Sequence, residues 1–168
     1  MTVCLTAIQE FVGKRWNDDV RLEILTVSLL PQVECDPTAF RDAVLQLLFN
    51  AREAMPDGGS IAVTVLIARL QPTMLVEVRV RDNGIGMSRD TLNHAFDPYF
   101  TTKSRGLGGM GLPSVRRFAE DHGGDIKIRS VPGRGTIVAL RVPGVPAPNG
   151  KDPSLPTLSL KCIGSVGG

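Results

Sequence analysis

Four short stretches of the chain combine residue types that can do chemistry. In "LLFNAREAM", Asn50 stands among large apolar residues and small alanines. Asp42, Gln46 and Asn50 recur every four residues, with Glu53 one step further, so on a helix they form a polar stripe beside an apolar one. Such a stripe suits a solvated helix face. The Asn50 amide, on the rim of a core helix, also suits a metal-bound phosphate, because Mg²⁺ takes oxygen ligands, few of them from protein. In "RDNGIGM", an alternating apolar run ends on Asp82, and Gly84 and Gly86 then flank Ile85. Asn83-Gly84 alone fits a turn. A carboxylate at a strand end can also accept a hydrogen bond from an amino group such as that of adenine. Glycines there let backbone pass close to a flat ring, and a buried carboxylate calls for a specific donor.

The third stretch, "FDPYFTTKSRGLGGMGLPSV", runs a glycine-rich loop into a helix N-terminus, which favours phosphate. Lys103 and Arg105 add positive charge. A flexible surface loop reads the same way, and neither a Walker loop nor a dinucleotide fingerprint is present. In the fourth, "GRGTIVALRVP", Gly133 and Gly135 suit a hairpin turn, and Thr136 opens a strand that can face the same cavity as Asp82.

These residues need elements to hold them. Leu5, Ile8 and Phe11–Val12 have helical spacing that stops at Gly13. "DVRLEILTVSL" alternates as a strand. "ECDPTAFRDAVLQLLFNAREAM" is a helix capped by Asp36, with Pro37 in its first turn and a core stripe of Phe40, Val44, Leu47, Leu48 and Ala51. "SIAVTVLIARL" and "TMLVEVRVRD" read as an antiparallel pair. A poorly periodic region runs from Gly84 to Gly111. "LPSVRRFAEDHGG" is a helix stopped by Gly123, and "DIKIRSV" and "TIVALRV" form a hairpin across "PGRG". The order predicts a two-layer α/β sandwich: a mixed, mostly antiparallel sheet covered on one face by helices. Residues 1–143 form one domain, and 144–168, rich in Pro, Gly and Ser, read as a disordered tail.

The bulk numbers fit a globular domain. The chain has 168 residues, 42% hydrophobic and 21% charged, with net charge +2 and three scattered cysteines. No basic block announces nucleic acid, no apolar run is long enough to span a bilayer, and the cysteines suit a reducing compartment. The expectation is a cytoplasmic segment with no membrane contact of its own, whatever anchors the parent protein.

In this order and spacing, the stretches together resemble the ATP-binding catalytic domain of sensor histidine kinases. Its superfamily includes DNA gyrase, heat-shock chaperones and mismatch-repair ATPases. "LQLLFNAREAM" is similar to the family's asparagine box and "DNGIGM" to its first glycine box. "FDPYFTTK" is similar to its phenylalanine box, "GLGGMGL" to its second glycine box, and "HGGDIKIRSVPGRGTIVALRVP" to its closing segment. The resemblance covers roughly residues 5–143.

It implies a Bergerat-type sandwich with Asp82 on the adenine amino group and Gly84, Gly86 and Thr136 nearby. It implies Asn50 on a Mg²⁺ that bridges the ATP phosphates, and a lid from about Asp97 to Gly108 that orders over the nucleotide. Lys103 and the backbone of Gly109 to Gly111 would meet the phosphates. The boxes add Phe100, Thr102, Gly108, Met110 and Leu112 to the nucleotide site. Asn50 and Lys103 would be the catalytic pair. Hydrolytic members carry a general-base glutamate one helical turn before the asparagine; Gln46 stands there instead, which suits phosphotransfer better than hydrolysis. The second glycine box fits only after a one-residue gap. His94 and His122 are the only histidines, and neither has the acidic neighbour and helical hairpin of the family's phosphoacceptor. The resemblance therefore implies transfer to a histidine on a separate dimerisation domain, with a response regulator downstream. A serine kinase of the anti-sigma-factor type and a non-catalytic nucleotide sensor are the alternatives.

Overall fold

The structure is a computed structural model and describes residues 8, 19–27, 32–33, 35–69, 74–101, 109–145 and 160–166. Of the first predicted helix, only Ile8 lies among them; it is helical and fully buried. The elements that follow are β1 (Val20–Val27), β2 (Gln32–Val33), α1 (Pro37–Glu53), β3 (Gly59–Arg69) and β4 (Leu75–Asp82). After them come α2 (Arg89–Asn93), α3 (Gly111–Asp121), β5 (Asp125–Val131), β6 (Gly135–Val145) and β7 (Leu160–Val166).

The strands form one sheet in the order β2-β6-β4-β3-β1-β7, with β5 also paired to β6. Among the described strands, only β1 and β3 run parallel. The predicted mixed, mostly antiparallel sheet is thus the one observed. Its strands alternate in burial, as a sheet covered on one face requires. Leu22 and Ile24 of β1 lie on the covered face with Ile61, Val63 and Val65 of β3. Val76, Val78 and Val80 of β4 and Val138, Leu140 and Val142 of β6 complete it, and all are buried. Register confirms the shared face: Val80 pairs with Val63 on one side and Val138 on the other.

Helices α1 and α3 cover that face. Asp36 caps α1 by accepting from the Thr38 N–H at 2.9 Å, and Pro37 takes the first turn, where its missing N–H is no loss. The stripe Phe40, Val44, Leu47, Leu48 and Ala51, joined by Ala43, is buried as the spacing predicts. Helix α3 buries Val115, Phe118 and Ala119 beside it, with the Phe40 and Phe118 rings 6.3 Å apart.

Two readings change. The stretch 144–168, expected to be a disordered tail, contains β7, which pairs antiparallel with the sheet-edge strand β1, and β6 itself runs on to Val145. An open strand edge is a template for any extended segment able to reach it, whatever the Pro and Gly content nearby. The Gly84–Gly111 region, read as poorly periodic, holds the one-turn helix α2, capped by the Ser88 hydroxyl.

The uncovered face holds a buried ion cluster. Glu77 is 1% exposed although it points away from the helices. It accepts from Arg79 Nε at 2.9 Å and from its cross-strand partner Arg141 Nε at 2.7 Å. Burial pushes the Glu77 carboxyl up, but the hydrogen bonds and charges of Arg141 and Arg79 outweigh it and hold the group below its ordinary 4.5. A depressed carboxyl adds stability that is complete above the ordinary value and lost as pH falls through the lower folded-state value. Urea midpoints measured against pH should therefore drop below about pH 4 in the parent chain. Glu77→Gln should lack that part of the acid limb; an unchanged limb would show that the cluster does not couple to folding.

Candidate active site

The apolar series of β4 does not stop at Val80. One period further, Asp82 falls on the same helix-covered face and is 5% exposed. Its Oδ1 accepts from the Gly84 N–H at 3.0 Å and the Thr136 N–H at 3.1 Å. Burial raises its pKa above 3.8 despite these backbone bonds, which pull the other way. The carboxylate thus ties the end of β4 both to its own following turn and to the start of β6.

That turn is laced to both neighbours. The Ile85 N–H donates to Ala54 O at 2.9 Å, at the end of α1. The Gly133 N–H donates to Ile85 O at 2.7 Å, from the β5–β6 turn. The Met87 N–H donates to the Ser130 hydroxyl at 2.8 Å, and that hydroxyl also reaches Gly135 O at 3.1 Å and Thr136 Oγ1 at 2.8 Å. The space left by the two glycines is filled by the protein itself. A Cβ on Gly84 would lie 2.4 Å from Ala54 O, and one on Gly86 2.1 Å from Val131 O, where φ is also +66°. Their smallness lets the turn seat on α1 and the hairpin. Asn83, which no sequence argument singles out, accepts from the Ser60 N–H at 2.8 Å and fastens the turn to the start of β3.

Between this turn, α1, α2 and the start of α3 lies a cleft of about 400 Å³, a size suited to a small-molecule ligand. Of the residues expected at a site, Asn50, Gly86, Phe100, Gly109, Gly111, Leu112 and Thr136 line it. Asp82, Gly84 and Met110 do not. Asp82 stands one step behind Thr136, and Met110 is half exposed beside the cleft. Thr102, Lys103 and Gly108 lie outside the described residues, as do Arg105 and Gly106. The two ends of that stretch meet, because the Tyr99 N–H donates to Gly109 O at 3.1 Å.

At the other end of the cleft, α3 begins against the polar stripe of α1. A Cβ on Gly111 would fall 3.1 Å from Gln46 Oε1 and 3.3 Å from Asn50 Nδ2. The stripe therefore faces a helix N-terminus, not solvent alone. Glu53, on the same stripe, also lines the cleft. Asn50 and Glu53 offer oxygen donors there, a set that fits a hard cation sharing its shell with a ligand. No group of three His, Cys, Asp or Glu side chains that could cage a metal occurs among the described residues. His94 lies outside the cleft lining, its Nδ1 2.8 Å from Asp97 Oδ2 and its ring against Phe100, while His122 Nδ1 bonds Phe118 O at 2.8 Å. The hydrogen bond to Asp97 raises the His94 pKa.

Ser130 and Glu53 were not expected at the site. Ser130 carried a readable signal: it continues the alternation Ile126, Ile128 of β5 as Asp82 continues that of β4.

A sequence profile described as "Histidine kinase-, DNA gyrase B-, and HSP90-like ATPase" matches residues 35–146. Sporulation kinase E of Bacillus subtilis (strain 168) is 35% identical over 125 residues, which are 74% of this chain and 16% of that protein. Sensor histidine kinase ZraS of Escherichia coli (strain K12) is 34% identical over 125 residues, 74% of this chain and 26% of its own length. The chain thus spans about a quarter or less of these curated relatives. In structure it is similar to the mycobacterial sensor histidine kinase MprB, with a TM-score of 0.72 at 26% identity over 88% of this chain and 96% of that one.

Two substitutions separate packing from backbone strain at the turn. Gly133, at φ +72°, has nothing within 4 Å of an added Cβ, so Gly133→Ala should cost about 1–2 kcal/mol, the left-handed backbone penalty alone. Gly86→Ala meets the same penalty and the Val131 carbonyl as well. It should cost more in urea denaturation; equal costs would show that the turn shifts freely.

Proposed function

Because the chain belongs to the histidine kinase-, DNA gyrase B- and HSP90-like ATPase family, we propose that its cleft binds Mg·ATP. It then passes the γ-phosphoryl group to a histidine on a separate phosphoacceptor domain, with a response regulator as the later recipient. The observation that carries this reading is the buried Asp82 carboxylate at the back of the cleft. Both backbone bonds fall on Oδ1, no ion pair with a cation reaches it among the described residues, and its burial is costly unless another donor joins. Adenine's amino group supplies such a donor, and Oδ2 is the oxygen left to accept it.

The remaining roles follow from position. Thr136 and Gly86 line the wall next to Asp82 and hold the base. Asn50 and Glu53 are the residues that would hold Mg²⁺, which when bound neutralises phosphate charge. Gly109 and Gly111 present backbone at the start of α3, where N–H groups attract phosphate. Lys103 lies outside the described residues, and its role toward the phosphates rests on the phenylalanine-box resemblance alone. The transfer forms a bond from imidazole nitrogen to the γ-phosphorus and breaks the bond from that phosphorus to the bridging oxygen, so ADP leaves and the imidazole proton is lost to solvent. The chain contributes positioning and charge neutralisation. Gln46, packed against Gly111, is no base for activating water, which keeps hydrolysis slow beside transfer.

The test is incubation with labelled ATP and a histidine-bearing helical hairpin domain. An acid-labile, base-stable phosphoprotein is expected. A phosphoserine product would move the reading to a serine kinase, and binding without transfer to a nucleotide sensor. Asp82→Asn keeps an oxygen for the Gly84 and Thr136 N–H groups, so it should fold, yet ATP affinity should fall about ten-fold or more through loss of a charged hydrogen bond. Undiminished binding would remove Asp82 from the site. Because protonation removes the charge that strengthens this hydrogen bond and the carboxyl's pKa is raised, affinity in the parent chain should weaken on acidification before an ordinary aspartate, at 3.8, would titrate. The Asn variant should lack this pH dependence.

A further inference from the structure

The sheet face opposite the helices is organised in lanes. Register aligns Arg81 of β4 with Ile137 of β6 and Arg129 of β5, and one row on it aligns Arg79, Ala139 and Lys127. Directly paired residues share a face, so β6 runs an apolar lane between two basic rails. The rails stand two strands apart, about 10 Å. The lane is closed at one end by the Glu77–Arg141 pair, with Asp125 3.8 Å from Arg141. At the other end Val131, 52% exposed, extends its apolar surface. Arg81, Lys127 and Arg129 are exposed, and no ion pair is recorded for them among the described residues. On β4, β5 and β6, five cations against two carboxylates leave this face three positive charges up, more than the +2 of the whole chain. The rest of the chain is therefore net negative, and the charge is segregated.

We propose that this face docks an acidic amphipathic helix of a partner protein. A helix with side chains is about 10–12 Å across, the spacing of the rails. Its apolar stripe would rest on Ile137 and Val131, with the buried Ala139 as the floor between the rails, and its flanking Asp or Glu residues would meet Arg81 on one side and Lys127 and Arg129 on the other. Flat apolar contact fixes the site, and the rails fix orientation and speed encounter. Nucleic acid fits less well: no aromatic side chain stands on these rows to stack a base, and carboxylates close the lane to a continuous polyanion.

The test is an NMR titration of the isotope-labelled chain with a synthetic helical peptide of about four turns, bearing a leucine stripe flanked by glutamates. Controls are a scrambled peptide of the same composition, a duplex oligonucleotide and phosphatidylserine vesicles. Saturable shifts confined to β4, β5 and β6 are expected, with affinity about ten-fold above the scrambled peptide and falling about ten-fold in the Arg81→Glu/Lys127→Glu variant. That variant should bind nucleotide as the parent does, which establishes its fold; should it not fold, Arg81→Gln/Lys127→Gln gives the same comparison. Absence of saturation, shifts centred on the cleft, unchanged affinity in a folded variant, or equal binding by any control would overturn the proposal.

Discussion

The rest of the site depends on one carboxylate buried on the core side of the sheet. Asp82 takes the place that another valine would fill in β4, and an isolated charge there would be costly. The cost is offset in part by two backbone N–H groups, from Gly84 and Thr136, that are far apart in sequence and adjacent in space. Satisfying that carboxylate therefore fixes where the turn after β4 lies and where β6 begins. The Ala54 and Gly133 backbone bonds and the Ser130 hydroxyl then hold the same turn from two further sides. The cleft wall is a by-product of keeping a charge inside a core.

Three strands repeat one device. Val76, Val78 and Val80 lead to Asp82; Ile126 and Ile128 lead to Ser130; Thr136 leads into Val138, Leu140 and Val142. In each, the core-facing series turns polar at the end nearest the cleft, which Thr136 lines. Period-two alternation makes such a switch legible from sequence, since Asp82 and Thr136 fall in step with the buried residues of their strands. Helix α1 was legible for the same kind of reason, since its cap, first-turn proline and apolar stripe all agree.

What escaped notice depends on pairing rather than pattern. That Gly84 and Gly86 also seat against the Ala54 and Val131 carbonyls depends on which elements pack there, not on the local pattern. Glu77 looks like any exposed residue of an alternating strand. Its burial needs Arg141, whose place opposite it is set by register across 64 residues. β7 was invisible because Pro- and Gly-rich surroundings describe what a segment does alone, not what an open edge offers it.

The backbone bond between Tyr99 and Gly109 has a consequence for how such a site can diversify. It closes the intervening stretch into a loop whose ends are pinned at one point, with Tyr99 itself in the left-handed region at φ 66°. A closed loop is a cassette. Doubling its length adds only about 0.6 kcal/mol of closure entropy, and an insertion inside it displaces neither Phe100 nor Gly111 from the cleft wall. Phe100 and Gly111 of the cleft wall are thus kept together by a backbone bond that does not draw on the residues between its two ends.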